Sequence, residues 1–356
     1  MWLLAKRTAV VLATALLFAA AVAFVYASRW VFIAFLLAIF FADLLQPLVE
    51  RIQTRTKISR GSRTLAILEV YAIGAVILVV AGLLVGPRVG NEIRRLGAAL
   101  PTLLERVNSG SIVQQLAANR GWSYETQVRL EDVLLRHRDV VLSLEGKIGV
   151  YIAAFAQNLI WFAVIPILAI FFLRDGPTFA DAIVKMAERR KSQRLLRNVF
   201  EDLNEMVTHY VRTQLVLAGL ALIVYTFVFW LMRLPYSFAL SSIAGILEFI
   251  PVVGPAGAAV VVLGVSFLAG YNHLVIVIIF LGCWRIVQDY VISPQLMRSN
   301  LEIHPLAVIF AVLVGAELGG VVGVYLSIPI VASLRIFWRT WQRYSEMRQE
   351  TQPRAA

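Results

Sequence analysis

The chain has 356 residues, 60% of them hydrophobic and only 15% charged, with a formal net charge of +11 and a mean hydropathy of +0.77. Soluble domains carry about 25% charged residues, so this balance excludes an ordinary soluble protein and points to an integral membrane protein. The excess of basic residues then belongs at the cytoplasmic ends of spans, against anionic lipid, and no nucleic-acid partner is expected.

Lys6 and Arg7 precede an apolar run from Thr8 to Ala27. Signal-peptide cores are about 7–15 residues long; this run is longer, and a second begins almost at once, so a retained first span is expected. Runs of about 20 apolar residues cross the hydrocarbon core as helices. Candidates are 8–27, 30–49, 64–86, 151–173, 213–232 and 273–292. Two further runs, 237–269 and 304–338, are longer and interrupted by glycine. Asp43 and Glu69 fall near predicted span ends, where interfacial exposure explains them.

Residues 50–63 hold Arg51, Arg55, Lys57, Arg60 and Arg63 against Glu50. A short basic loop of this kind is cytoplasmic, which puts the N-terminus inside as well. The basic C-terminal tail, with Arg339, Arg343, Arg348 and Arg354, is also inside. Residues 87–150 then lie outside. Val89, Ile93, Leu96, Leu100, Leu103 and Val107 share a helical face, as do Leu130, Leu134, Val141 and Leu144, which predicts a small extracytoplasmic helical subdomain. "RDGPTF", Arg174 to Phe179, is expected to break the chain at the membrane edge, with Pro177 opening the next helix. That helix is amphipathic, and Arg189, Arg190, Lys191, Arg194 and Arg197 either hold anionic headgroups or form a solvated face. The domains read as 1–86 N-terminal spans, 87–150 extracytoplasmic subdomain, 151–212 span plus cytoplasmic helix, 213–338 transport core and 339–356 basic tail.

The two long runs share a plan: apolar residues, a glutamate among glycines, then more apolar residues. In the first, Glu248 is followed by Pro251, Gly254, Pro255 and Gly257. In the second, Gly315 and Glu317 are followed by Gly319, Gly320 and Gly323. Helix breakers at membrane depth survive only inside protein or beside a water-filled cavity, and a carboxylate there usually faces a pathway. Together they indicate a binding site built from half-helices. Glycines four apart also suit close helix packing, so the second run reads equally well as packing. Each run either crosses once as a kinked helix, giving eight crossings, or folds back as a re-entrant hairpin, giving six. Between them, Arg285 and Asp289 are four apart on one helix face with Gln288 nearby, as a structural lock or as a contact for solute or ion. The fold class is therefore an all-α polytopic bundle with two broken or re-entrant segments.

An enzyme is not expected. The sequence has no P-loop, HExxH or GxSxG pattern. His137, His209, His273 and His304 fit no metal-ligand spacing, and no metal or cofactor is expected. Without a nucleotide site, transport would be secondary or passive.

"EFIPVVGP" (248–255), "QDYVISPQLM" (288–297), "HPLAVIFAVLVGAELGGVVGVYLSIPI" (304–330), "FFLRDGP" (171–177) and "LLQPLVERI" (44–52) follow in the order and spacing of the autoinducer-2 exporter family of bacterial inner-membrane proteins, which the chain resembles over nearly its whole length. The resemblance implies a homo-oligomeric helical transporter, with a pentamer as one form. It implies export of a small polar signalling molecule such as autoinducer-2 or, in some members, sodium/proton exchange. The positions carried over are Glu248, Pro251, Gly254 and Pro255 in the first broken run; Arg285, Gln288, Asp289 and Pro294 on the middle span; and His304, Pro305, Glu317, Gly319, Gly323 and Pro329 in the second. A non-transporting membrane scaffold is the third reading, after exporter and antiporter.

Overall fold

The structure is a computed structural model that describes residues 2–56, 61–108, 159–187, 190–296 and 304–350, together with 124, 125, 127–129 and 132. Among these residues every regular element is a helix: α1 Trp2–Ala27, α2 Arg29–Arg55, α3 Arg63–Asn108, α4 Leu159–Lys185, α5 Arg190–Leu231, α6 Ser237–Leu247, α7 Val253–Leu268, α8 Leu274–Val287 and α9 Pro305–Glu350. A π-turn, Gln288–Ile292, and a last helical turn, Ser293–Leu296, extend α8. Among the described residues, six helices (α2, α3, α4, α5, α9, and α8 with its extension) are long and apolar enough to cross a membrane. Much of their apolar surface points outward. Leu78 and Leu83 of α3, Ile223 of α5 and Ile279 of α8 are all exposed, as side chains solvated by lipid should be. The protein is an all-α, multi-pass membrane protein.

The chain divides into two compact units, 1–43 with 161–203 and 303–356, and 44–160 with 204–302. In the second, α6 packs on α7 and on α3, and α7 packs on α8. Its core joins Ala221, Tyr225 and Phe229 of α5, Leu240 and Ala244 of α6, Ala258 and Val262 of α7, and Val277 and Leu281 of α8. Gly245 lets α6 lie directly on α5, because a Cβ there would sit 2.8 Å from the Leu222 Cβ. In the first unit, Phe35 of α2 meets Phe172 of α4 edge to face at 6.0 Å, and Phe40 of α2 meets Tyr325 of α9 at 6.3 Å.

Both long glycine-broken runs reverse direction. The helices of the first are 11 and 16 residues long. At ~1.5 Å per residue neither reaches across a hydrocarbon core of about 30 Å, and they pack on each other as a hairpin. In α9 the break is Gly320, at φ 56, ψ −138, a conformation open essentially to glycine alone. Gly315 and Gly323 face each other across it: a Cβ on either would strike the other's carbonyl oxygen. Residues eight apart in an unbroken helix lie about 12 Å apart, so the arms 305–319 and 321–350 fold back on one another.

The expected break at "RDGPTF" is absent. Helix α4 runs through Pro166 and Pro177 to Lys185. An internal proline removes one backbone bond and bends a helix, and a helix with full turns on both sides absorbs that loss. For the same reason α3 continues through Pro87 and Pro101 to Asn108, so the first part of 87–150 extends a span. Leu96 and Leu103 of its apolar stripe are buried. Residues 190–231 form a single helix where an amphipathic helix and a separate span were expected. Glu69 accepts a hydrogen bond from the Thr56 hydroxyl at 3.0 Å, which ties the end of α2 to α3. Leu130, Leu134, Val141, Leu144, Arg189 and Arg298 lie outside the described residues.

Candidate functional site

The tip of the α6–α7 hairpin is built by its own sequence. The last turn of α6 tightens as Phe249 N–H donates to Ile246 O at 3.1 Å and Ile250 N–H to Leu247 O at 2.8 Å. Pro251 has no N–H and ends the helical pattern. Val252 then takes φ 66, ψ −57, and Val253 N–H donates to Pro251 O at 2.7 Å. That is a γ-turn of the rare, strained positive-φ kind, here on a β-branched residue. Gly254 N–H returns to Ile250 O at 3.0 Å, and any Cβ at 254 would strike the Leu247 carbonyl oxygen. Pro255 sits in the first turn of α7, where its missing N–H costs no helical bond.

This tip carries Glu248 into the interior. The residue is 4% exposed. Its Oε1 accepts from the Tyr225 hydroxyl at 2.7 Å, and its backbone oxygen accepts from Gln214 Nε2 at 2.7 Å. Both donors stand on α5. From α8, Arg285 brings Nη1 to 3.9 Å from Glu248 Oε2, while its Nε bonds Asp289 Oδ2 at 2.8 Å. The Gln288 side chain also lies beside the Glu248 carboxyl. One guanidinium thus serves two carboxyl groups.

Aromatic rings wall the site. Tyr225 stacks on Phe229 at 5.4 Å and meets Phe280 at 6.1 Å and Trp284 at 6.4 Å, both edge to face. The π-turn follows from Pro294: a proline ring clashes with the carbonyl four residues back, here Tyr290. The helix widens instead, and Ser293 N–H donates to Gln288 O. Such single π-turns recur at functional sites.

Of the fourteen positions singled out in the sequence, Glu248, Arg285, Gln288 and Asp289 meet. Pro251, Gly254 and Pro255 shape the tip that holds Glu248, and Pro294 shapes the turn that holds Gln288. The other six belong to α9 or its N-terminal edge, in the other unit. His304 is exposed, with its Nδ1 accepting from Leu306 N–H at 3.3 Å, and Pro305 opens the helix. Glu317 is exposed beside the break. Gly319 is buried, and a Cβ there would lie 3.0 Å from Ile33 Cδ1. Gly323 faces Gly315, and Pro329 is fully buried. Among the described residues no cluster of His, Cys, Asp and Glu could hold a metal ion.

Three site residues escape a reading of the sequence: Tyr225, Gln214 and Trp284. A glutamine near the start of a span and a tyrosine inside an apolar run were the available signals. Neither says which distant carboxyl it serves.

A family model described as "AI-2E family transporter" matches residues 12–343. Among curated proteins, the chain is similar to two provisionally named transport proteins of Bacillus subtilis (strain 168). YrrI is 24% identical over 325 residues, covering 86% of each chain. YueF is 23% identical over 335 residues, covering 90% of this chain and 89% of its own. The provisionally named permease PerM of Escherichia coli (strain K12) is 22% identical over 268 residues, covering 72% of this chain and 69% of its own.

Proposed function

The chain belongs to the AI-2E transporter family, and from that premise we propose that this membrane transporter is a secondary or passive exporter of a small polar signalling molecule such as autoinducer-2. The observation that carries the proposal is Glu248. A carboxyl group held at the tip of a broken apolar hairpin, with donors from two neighbouring helices, is costly to maintain in a membrane protein unless it faces a solute path. On this reading α6–α7 and the arms of α9 are re-entrant half-helices. The path runs past Glu248, Arg285, Gln288 and Asp289; Glu317 and the glycine turn of α9 are separate candidates for contact with solute or ion. The protein lies in the bacterial inner membrane with both termini cytoplasmic. It works as a homo-oligomer, a pentamer being the form expected. Arg285 and Asp289 are each 43% exposed, and a second copy or a wet path covers an ion pair that lipid would not tolerate.

The charge count favours one second reading. Glu248 and Asp289 share Arg285, so two ionised carboxylates would leave one negative charge unbalanced in a low-dielectric site. A proton or a sodium ion supplies the balance, as a cation/proton antiporter requires. Reconstituted protein under an imposed sodium gradient separates the readings. Proton movement that depends on sodium and is lost in Glu248→Gln establishes the antiporter. Efflux of autoinducer-2 without sodium-linked proton movement establishes the exporter. Folded, inserted wild type that moves neither solute nor sodium-linked protons above empty vesicles overturns both and leaves a scaffold, whereas fluxes unchanged in Glu248→Gln remove Glu248 from the path.

A further inference from the structure

The C-terminal end of α9 has two unlike faces. Beyond the break at Gly320 the second arm continues as helix to Glu350. At ~1.5 Å per residue it is about 45 Å long, more than a hydrocarbon core of about 30 Å can hold. Its own chain covers it as far as Ala332, which is 1% exposed. Beyond that point Leu334, Phe337, Trp338 and Trp341 are 62, 51, 63 and 70% exposed. No charged residue stands between Glu317 and Arg335, and no acid between Glu317 and Glu346. Arg335, Arg339 and Arg343 follow one another at four-residue steps, so they form a ladder along one side of the helix. The four apolar side chains lie on the other side. Arg339 and Arg343 are exposed.

We infer that Leu334–Arg343 is a docking surface for an anionic phospholipid membrane surface, a reading that goes beyond transport and does not depend on it. The rings sink into the boundary between headgroups and acyl chains, where tryptophan is at home. The arginine ladder takes the headgroup phosphates, which match the guanidinium fork. Tryptophan, phenylalanine and leucine on one side and arginine on the other is the division found in helices held at a membrane surface. Charge selects the occupant. A second copy of this chain carries a formal net charge of +11 and would set like charge against the ladder. A zwitterionic lipid covers the rings but brings the arginines no net attraction. A free phosphate satisfies the arginines and leaves the rings bare. An anionic lipid does both.

The test is retention of phosphatidylglycerol and of phosphatidylcholine by the purified full chain in detergent, followed by native mass spectrometry, with thermal unfolding as a check on folding. Wild type should hold phosphatidylglycerol in preference, and the preference should shrink as salt rises. The double variant Arg339→Gln with Arg343→Gln should weaken its retention about 25-fold, about fivefold for each cation removed. Arg339→Lys with Arg343→Lys keeps both charges and should hold most of it. Arg190→Gln with Arg194→Gln, at the start of α5, is the control. Those arginines are exposed, but among the described residues no large apolar side chain from 190 to 214 is exposed beside them, so retention should change by less than twofold. In proteoliposomes, the tryptophan emission lost to acyl-chain-brominated phosphatidylglycerol should fall in Trp338→Phe with Trp341→Phe. Wild type that holds both lipids equally, an equal loss in the α5 control, or displacement of the lipid by millimolar inorganic phosphate overturns the inference. Unchanged loss of emission in the tryptophan variant also overturns it, because those rings would then stand in water.

Discussion

Replacing Tyr225 by phenylalanine removes one atom from the centre of the site and leaves the ring. The hydroxyl lost is the one that donates to Glu248 Oε1 at 2.7 Å. The ring itself is held by stacking on Phe229, 5.4 Å away with the planes 10° apart, and that contact survives. Glu248 is 4% exposed, so the vacated position is not open to bulk water. A hydrogen bond to a charged group contributes about 1.5–3 kcal/mol, and one between neutral groups about 1. Tyr225→Phe should therefore destabilise the protein by about 2 kcal/mol, a loss of roughly 30-fold in the folded-to-unfolded ratio. In a Glu248→Gln background the acceptor is neutral and the same change should cost about 1 kcal/mol. The assay is reversible unfolding in mixed detergent micelles on wild type, both single variants and the double. A cost below about 0.5 kcal/mol would refute the claim that the Tyr225 hydroxyl holds the Glu248 carboxyl, and equal costs in the two backgrounds would mean that this carboxyl is neutral.

Other positions give sharp contrasts. Gly254→Ala, whose Cβ would strike the Leu247 backbone, should lower unfolding stability by about 3 kcal/mol; Gly257→Ala, whose Cβ would meet only Leu247 Cδ1 at 3.9 Å, should be neutral or slightly stabilising in the same thermal assay. Gly323→Ala should likewise fail where Gly282→Ala, with nothing within 4 Å, is tolerated; equal behaviour of that pair would mean that α9 is not folded back at Gly320. Arg285→Met leaves two carboxyl groups facing each other and should cost about 1–2 kcal/mol, discounted for the half-exposed pair, with part recovered by adding Asp289→Asn; no recovery would show that the pair is not coupled. Glu92 Oε2 accepts from Ala239 N–H at 2.9 Å in the first turn of α6, whose own N-cap, Tyr236, makes no side-chain cap. Glu92→Ala should cost about 1 kcal/mol by unfolding, and a neutral result would remove α3 as an anchor of the hairpin.

The fold was legible because a bilayer makes strong demands on a sequence. Apolar runs of span length gave the helices, and glycine and proline inside two over-long runs marked where the chain breaks while leaving kink and reversal open. The prolines at 87, 101, 166 and 177 carried no comparable meaning. A helix interior tolerates a single proline, so each local rule for a break competed with turns on both sides that held. The Arg285–Asp289 contact was readable because four residues is one helical turn. Tyr225, Gln214 and Glu92 were not readable as partners of the hairpin. They act across 23, 34 and 147 positions, and apolar periodicity says nothing about which side chains meet at that range.

The most direct measurement is efflux of preloaded autoinducer-2 from proteoliposomes, comparing wild type, Glu248→Gln and empty vesicles. Wild-type efflux clearly above the empty vesicles, falling at least tenfold in Glu248→Gln while the variant stays folded and inserted, is the predicted result. Efflux from folded, inserted wild type no faster than from empty vesicles would contradict export of this solute. Equal efflux by wild type and Glu248→Gln would remove Glu248 from the path.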